Sequence, residues 1–163
     1  MLPRPLGLLA LAALIGCSGP KSSIRENNGE FPAHRCVGVA PFIDPGGRGQ
    51  AVADAIEAGL QAVMYEPVDQ KALAEVLAAH KPERGSSLGL EALESIRARV
   101  PVDAIIFGRI APDWSAASIT VVETEMGGPI LSAVLRPRGG KKTAFADPDD
   151  LAREALRVLT SAR

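Results

Sequence analysis

Four stretches of this chain place residues of a type and spacing that could do chemistry. A thiol, Cys17, ends the apolar run from Leu6 to Ile15. The loop Asp44-Pro45-Gly46-Gly47-Arg48-Gly49 precedes a helix-like segment, so the N–H groups of Gly46, Gly47, Arg48 and Gly49 could hold an anion; the competing reading is a plain glycine turn. Arg136-Pro137-Arg138-Gly139-Gly140-Lys141-Lys142 carries four cations in seven residues with no aromatic between them. Arg136, Arg138, Lys141 and Lys142 would suit anionic lipid headgroups or an acidic partner, and otherwise form a solvated loop balanced by the acids that follow. Trp114, the one tryptophan, is either a partner anchor or a lid on the core, and the lid is the reading taken. Catalysis needs a base of near-neutral pKa beside a nucleophile or a metal. The two histidines, His34 and His80, stand alone, and no HExxH, CxxC, GxSxG or Walker lysine occurs. The expectation is a protein that is not an enzyme and uses neither metal nor cofactor.

The ten-residue run before Cys17 is too short to cross about 30 Å of hydrocarbon, which takes roughly 20 apolar residues. It also lacks the polar face of a core helix. Arg4, a short apolar stretch and small residues near its end are the parts of an export signal. Its end, Leu14-Ile15-Gly16-Cys17, resembles the lipobox of bacterial lipoproteins. That resemblance implies cleavage after Gly16, a diacylglycerol thioether on Cys17 and acylation of the freed amine. Ser18, rather than Asp, after the cysteine implies sorting to the outer membrane, with the protein facing the periplasm.

The rest of the chain has the length of one domain. A net charge of −1 gives no footprint for nucleic acid. With Cys17 lipidated, Cys36 has no disulfide partner, and its place at the head of an apolar run predicts a buried thiol. Residues 18–35 are polar, aperiodic and rich in Gly, Pro, Ser and Asn. They read as a flexible tether with a reach of roughly 25 Å.

Cys36 to Ile43 has no polar alternation and predicts a strand covered on both faces. Val52, Ile56, Leu60 and Val63 then recur at helical spacing. A short strand is expected at Tyr65 to Val68, with Asp69 capping a helix that carries Leu73, Val76 and Leu77. KPERGSS separates it from a helix with Leu90, Leu93, Ile96 and Val100. Val102 to Ile110 is the most apolar strand and should be central. Strands at Ser118 to Thr124 and Ile130 to Arg136 flank the hairpin turn Met126-Gly127-Gly128-Pro129. In the last helix Asp147 caps, Pro148 takes the first position, and Asp149 and Asp150 sit in the first turn. The predicted fold is α/β (α+β): a mixed sheet of about five strands with helices packed on it, in the order β-α-β-α-α-β-β-β-α.

Val39-Ala40-Pro41-Phe42, Val68-Asp69, Val102-Asp103-Ala104-Ile105-Ile106-Phe107-Gly108-Arg109-Ile110 and the turn Met126-Gly127-Gly128-Pro129-Ile130-Leu131 resemble the periplasmic domain of CsgG/LpoB-type lipoproteins, whose fold is like the amino-terminal domain of TolB. Met126 replaces the usual Thr. The resemblance implies a signal peptide at 1–16, a lipidated cysteine and tether at 17–35, and a domain at 36–163. It further implies a membrane-anchored interaction or assembly factor serving secretion or peptidoglycan synthesis, with an envelope protein partner and homo-oligomers within reach. A small-ligand or anion-binding lipoprotein is the alternative. The family includes a secretion channel. The connections APDWSAA, EMGGP and KPERGSS are too short for pairs of membrane-crossing strands of about 9–11 residues each, so no pore is expected.

Overall fold

The computed structural model describes residues 21–29, 31, 35–66, 68–80, 88–139 and 142–162. Cys17 and Lys141 lie outside the described residues, as does His34. In chain order the elements are β1 (Ser23–Asn27), β2 (Val37–Val39), α1 (Gly49–Ala62), α2 (Gln70–His80), α3 (Leu90–Arg99), β3 (Ala104–Ile110), β4 (Ala117–Glu123), β5 (Pro129–Leu135) and α4 (Pro148–Ser161). The five strands form one mixed sheet in the order β1-β5-β4-β3-β2, parallel between β2 and β3 and antiparallel elsewhere.

Helices cover both faces, so β3 is apolar and buried from Ala104 to Phe107 and again at Ile110, with Arg109 exposed near its end. Ala104, Ile106 and Ile110 turn to one face, where they meet Val52, Ile56 and Leu60 of α1 and Leu151, Ala155, Val158 and Leu159 of α4. Ile105 and Phe107 turn to the other, against Leu73, Val76 and Leu77 of α2 and Leu93 and Ile96 of α3. α1 and α4 pack closely because Gly59 has no side chain: a Cβ there would lie 2.1 Å from Leu156.

The mixed five-strand sheet, the four helices and their order are as the sequence predicts, with adjustments at four places. Ser23–Asn27, expected as part of the tether, is an edge strand whose Ser23 pairs with Val134 and Asn27 with Leu131. Phe31, also expected in the tether, is buried in the core and stacks on Tyr65. The strand expected at Tyr65 to Val68 shrinks to a single bridge between Glu66 and Cys36, so β1 is the fifth full strand. Val63 lies past the end of α1 and is exposed, because the apolar stripe closes at Leu60.

The predicted caps are present. Asp69 Oδ1 accepts from Ala72 N at 2.9 Å, and Asp147 Oδ1 from Asp150 N at 2.7 Å, with Pro148 following the cap. Gly127 takes a left-handed φ of +75° in the hairpin turn, where a Cβ would also strike Leu93 of α3. The guanidinium of Arg97 holds the same turn by donating to the carbonyls of Thr124 and Glu125.

Candidate functional site

The glycine loop and the tryptophan, read separately in the sequence, meet in space. Asp44 is the centre of the loop: its Oδ1 accepts from Gly46 N at 2.9 Å and its Oδ2 from Arg48 N at 2.8 Å. Gly47 N donates to the Asp44 carbonyl at 3.1 Å, and the Trp114 side chain lies beside the Asp44 carboxylate. The Arg48 guanidinium lies 3.6 Å from the centre of the Trp114 ring, a cation–π contact. Burial pushes the Asp44 carboxyl up, but the N–H groups of Gly46 and Arg48, Trp114 and the Arg48 charge outweigh it and hold the group below the usual carboxylate range.

This geometry speaks against an anion site in the loop and fits the lid reading of Trp114. The N–H groups of Gly46, Gly47 and Arg48 are already taken by Asp44, so an external anion would have to displace a carboxylate of the chain itself. Gly49 is buried, and its missing side chain serves packing, since a Cβ would lie 1.8 Å from the Phe42 carbonyl oxygen. Trp114 is 4% exposed and held at a φ of +58°, so it closes the core and offers a partner no anchor. Asp44→Ala is expected to cost about 1–2 kcal/mol by freeing the loop N–H groups. A depressed carboxyl stabilises above its unfolded pKa and loses that effect as pH falls through the folded value. The gap between wild type and variant, measured by urea unfolding, should therefore narrow below about pH 4.

A second constellation joins the predicted basic loop to α4. Glu154, 5% exposed, receives two bonds from Arg157, at 2.6 and 3.0 Å, and an ion pair from Arg138 at 3.4 Å. Asp150 receives Lys142 at 3.3 Å, Arg153 at 3.2 Å and the N–H of Ala146 at 3.2 Å. These residues, with Phe145, line a surface hollow of about 360 Å³. Burial pushes both carboxyls up; Arg157, Ser22 and Arg138 at Glu154, and Ala146, Lys142 and Arg153 at Asp150, bring them below the usual range. The carboxylates face inward, while the side chains of Arg138 and Arg153 are 70% and 72% exposed. Arg136, half-buried, bonds through its backbone to the Ser22 hydroxyl. Arg153, Arg157 and Ser22 escaped the sequence reading. The acid–base spacing of three in Asp150-Leu151-Ala152-Arg153 and Glu154-Ala155-Leu156-Arg157 was the available signal for the first two.

Cys36 is half-buried, where the sequence predicts full burial, because β2 is short and its outer side is met by the bridge at Glu66. Its thiol donates to Glu66 Oε2 at 3.3 Å. Burial, that hydrogen bond and the nearby charge of Asp103 push it up to about 11. The thiolate is thus suppressed at neutral pH despite partial access. Glu66→Gln should speed maleimide labelling of the native protein about ten-fold at pH 7.5. An unchanged rate would show that access, not ionisation, limits the reaction.

His80 Nε2 and Ser95 Oγ, 2.9 Å apart, tie α2 to α3. Among the described residues no three His, Cys, Asp or Glu side chains are grouped to hold a metal, and no helix is long and apolar enough to cross a membrane.

No protein-family model matches the chain, and no curated protein sequence does. Among solved structures, a PelC dodecamer from Paraburkholderia phytofirmans aligns with a TM-score of 0.53 at 11% identity, over 87% of this chain and 95% of that one. The NMR structure of E. coli LpoB aligns with a TM-score of 0.46 at 12% identity, over 83% of this chain and 81% of that one. The PelC alignment shows a shared fold.

Proposed function

We propose that this protein is a non-enzymatic lipoprotein of the CsgG/LpoB type, anchored at the outer membrane, facing the periplasm and acting as an interaction or assembly factor of the cell envelope. The observation that carries the reading is Leu14-Ile15-Gly16-Cys17 at the end of an export-signal pattern, only a few residues ahead of a folded domain. Two features support assembly. β1 is an edge strand with every residue exposed, which leaves one side of its backbone for a further strand. The PelC structure that shares the fold is a dodecamer.

The test is affinity purification from detergent-solubilised membranes after cross-linking in the cell, followed by native mass measurement. A discrete homo-oligomer or a stoichiometric envelope protein is expected. A monomer without partner, whose melting temperature rises with nucleotides or phosphosugars, would replace this reading with that of a ligand-binding lipoprotein.

A further inference from the structure

The chain as a whole carries a net charge of −1, yet cations gather at one end of it. Arg138 and Lys142 come from the loop after β5, and Arg153 and Arg157 from successive turns of α4. Among the described residues, Asp150 and Glu154 are the carboxylates that pair with them, and each is shared between two of these cations. Asp149, exposed in the first turn of α4, is the acid that opposes this charge from the outside. Among the described residues, Arg138 and Arg153 have no ion pair besides those with Glu154 and Asp150, and their side chains are largely exposed.

The position of this face follows from where the chain enters the domain. Ser22 Oγ accepts from Arg136 N at 2.8 Å and donates to the Arg136 carbonyl at 3.3 Å, two residues before Arg138. Five residue steps separate Ser22 from Cys17. A fully extended chain spans at most about 3.6 Å per residue, so Cys17 lies within about 18 Å of Ser22 whatever path the link takes. The tether is thus far shorter than the sequence implies, because β1 draws its second half into the sheet. An acyl group on Cys17 would hold the Ser22 end of the domain, from which the cationic face begins, close to the bilayer.

We propose that the face formed by Arg138, Lys142, Arg153 and Arg157 docks on an anionic phospholipid surface and sets the orientation of the domain on the membrane. The inference takes its geometry from the lipid-anchor reading above. Phospholipid phosphates fit because the cations spread over a surface hollow and reach outward, so they match a plane of separate charges. Each such cation near an anionic surface strengthens binding about five-fold.

The full acylated chain, reconstituted in vesicles of phosphatidylcholine alone or with about one third phosphatidylglycerol, provides the test. Arginines are modified with phenylglyoxal and read by mass spectrometry. Arg138 and Arg153 should be protected several-fold in the anionic vesicles and not in the neutral ones. Arg99, 54% exposed at the end of α3 on the opposite side of the sheet, should react equally in both. Protection should vanish at about 1 M salt, where the Debye length falls to about 3 Å. In Arg138→Gln/Arg153→Gln protein, Lys142 acetylation should lose its protection by anionic lipid, while Arg157 and Lys142 still satisfy the two carboxylates and keep the fold. Equal modification of Arg138 and Arg153 in both vesicle types overturns the proposal. So does protection that needs a membrane extract and fails with pure anionic vesicles, which would assign the face to an acidic protein. Mass measurement of the acyl group on Cys17 judges the anchor separately. A diacylated chain without protection sinks only the docking, and an unacylated chain that its leader holds on the vesicle, yet still protected, sinks only the anchor.

Discussion

Serine at position 17 should abolish acyl labelling and release the protein from the outer membrane, or leave it with an uncleaved leader. The sulfur of Cys17 is the atom that would carry the diacylglycerol, and a serine hydroxyl cannot form the thioether. The effect is large because acyl chains act multiplicatively. One myristoyl chain gives an association constant of only about 10⁴ M⁻¹, at about 0.8 kcal/mol per buried CH₂, whereas two or three chains on one residue make an anchor that does not exchange. Growth with an alkyne-bearing fatty acid, followed by fractionation of wild type and Cys17→Ser, checks this. Labelling of the variant at the wild-type level would end the lipoprotein reading.

Alanine at position 49 should destabilise the domain by about 3 kcal/mol, at the upper end of what overpacking costs. The added Cβ would sit 1.8 Å from the Phe42 carbonyl oxygen and 2.8 Å from its carbon, and both are backbone atoms that no rotamer change can move. The same carbonyl region is pinned from the other side, since Phe42 N donates to Gly49 O at 3.2 Å and Ile43 N to Gly108 O at 2.9 Å. The helix must therefore shift away from the strand or the strand must bend. The gain of about 1 kcal/mol that alanine brings to a helix interior is too small to offset this at the first helical residue. Gly128→Ala is the matched control: nothing lies within 4 Å of its Cβ position and its φ is ordinary, so it should stay within about 0.5 kcal/mol of wild type. Thermal and urea unfolding of both proteins decide the matter, and equal stability of the two variants would mean that the Phe42 to Gly49 contact is looser than described.

The order of elements from β2 onward apart from the bridge at Glu66, the helix caps at Asp69 and Asp147, the hairpin turn at Gly127 and the interior place of β3 were legible in the sequence alone, although the middle strand of the sheet is β4. Each rests on local physics: a cap needs a side chain three residues from its N–H, a turn needs one left-handed residue, and a strand covered on both faces must be apolar throughout. The leader pattern ending at Cys17 is likewise a property of consecutive residues. What only the tertiary structure decided depends on partners far along the chain. Ser23-Ile24-Arg25-Glu26-Asn27 is exposed at every position, so no hydropathy pattern marks it, and backbone pairing with β5 more than a hundred residues on makes it a strand. Ser22 meets Arg136 across 114 positions, and that contact, more than the composition of residues 18–35, sets the length of the tether. The glycine loop has the composition of an anion site, but Asp44 folds into it and Trp114 closes over it from another loop. The basic run after β5 reads as a solvated loop until α4 brings Arg153 and Arg157 beside it and turns Asp150 and Glu154 inward. Charge density is written locally, but which charges are neutralised and which face outward is settled by packing, because only a buried carboxylate must be paired.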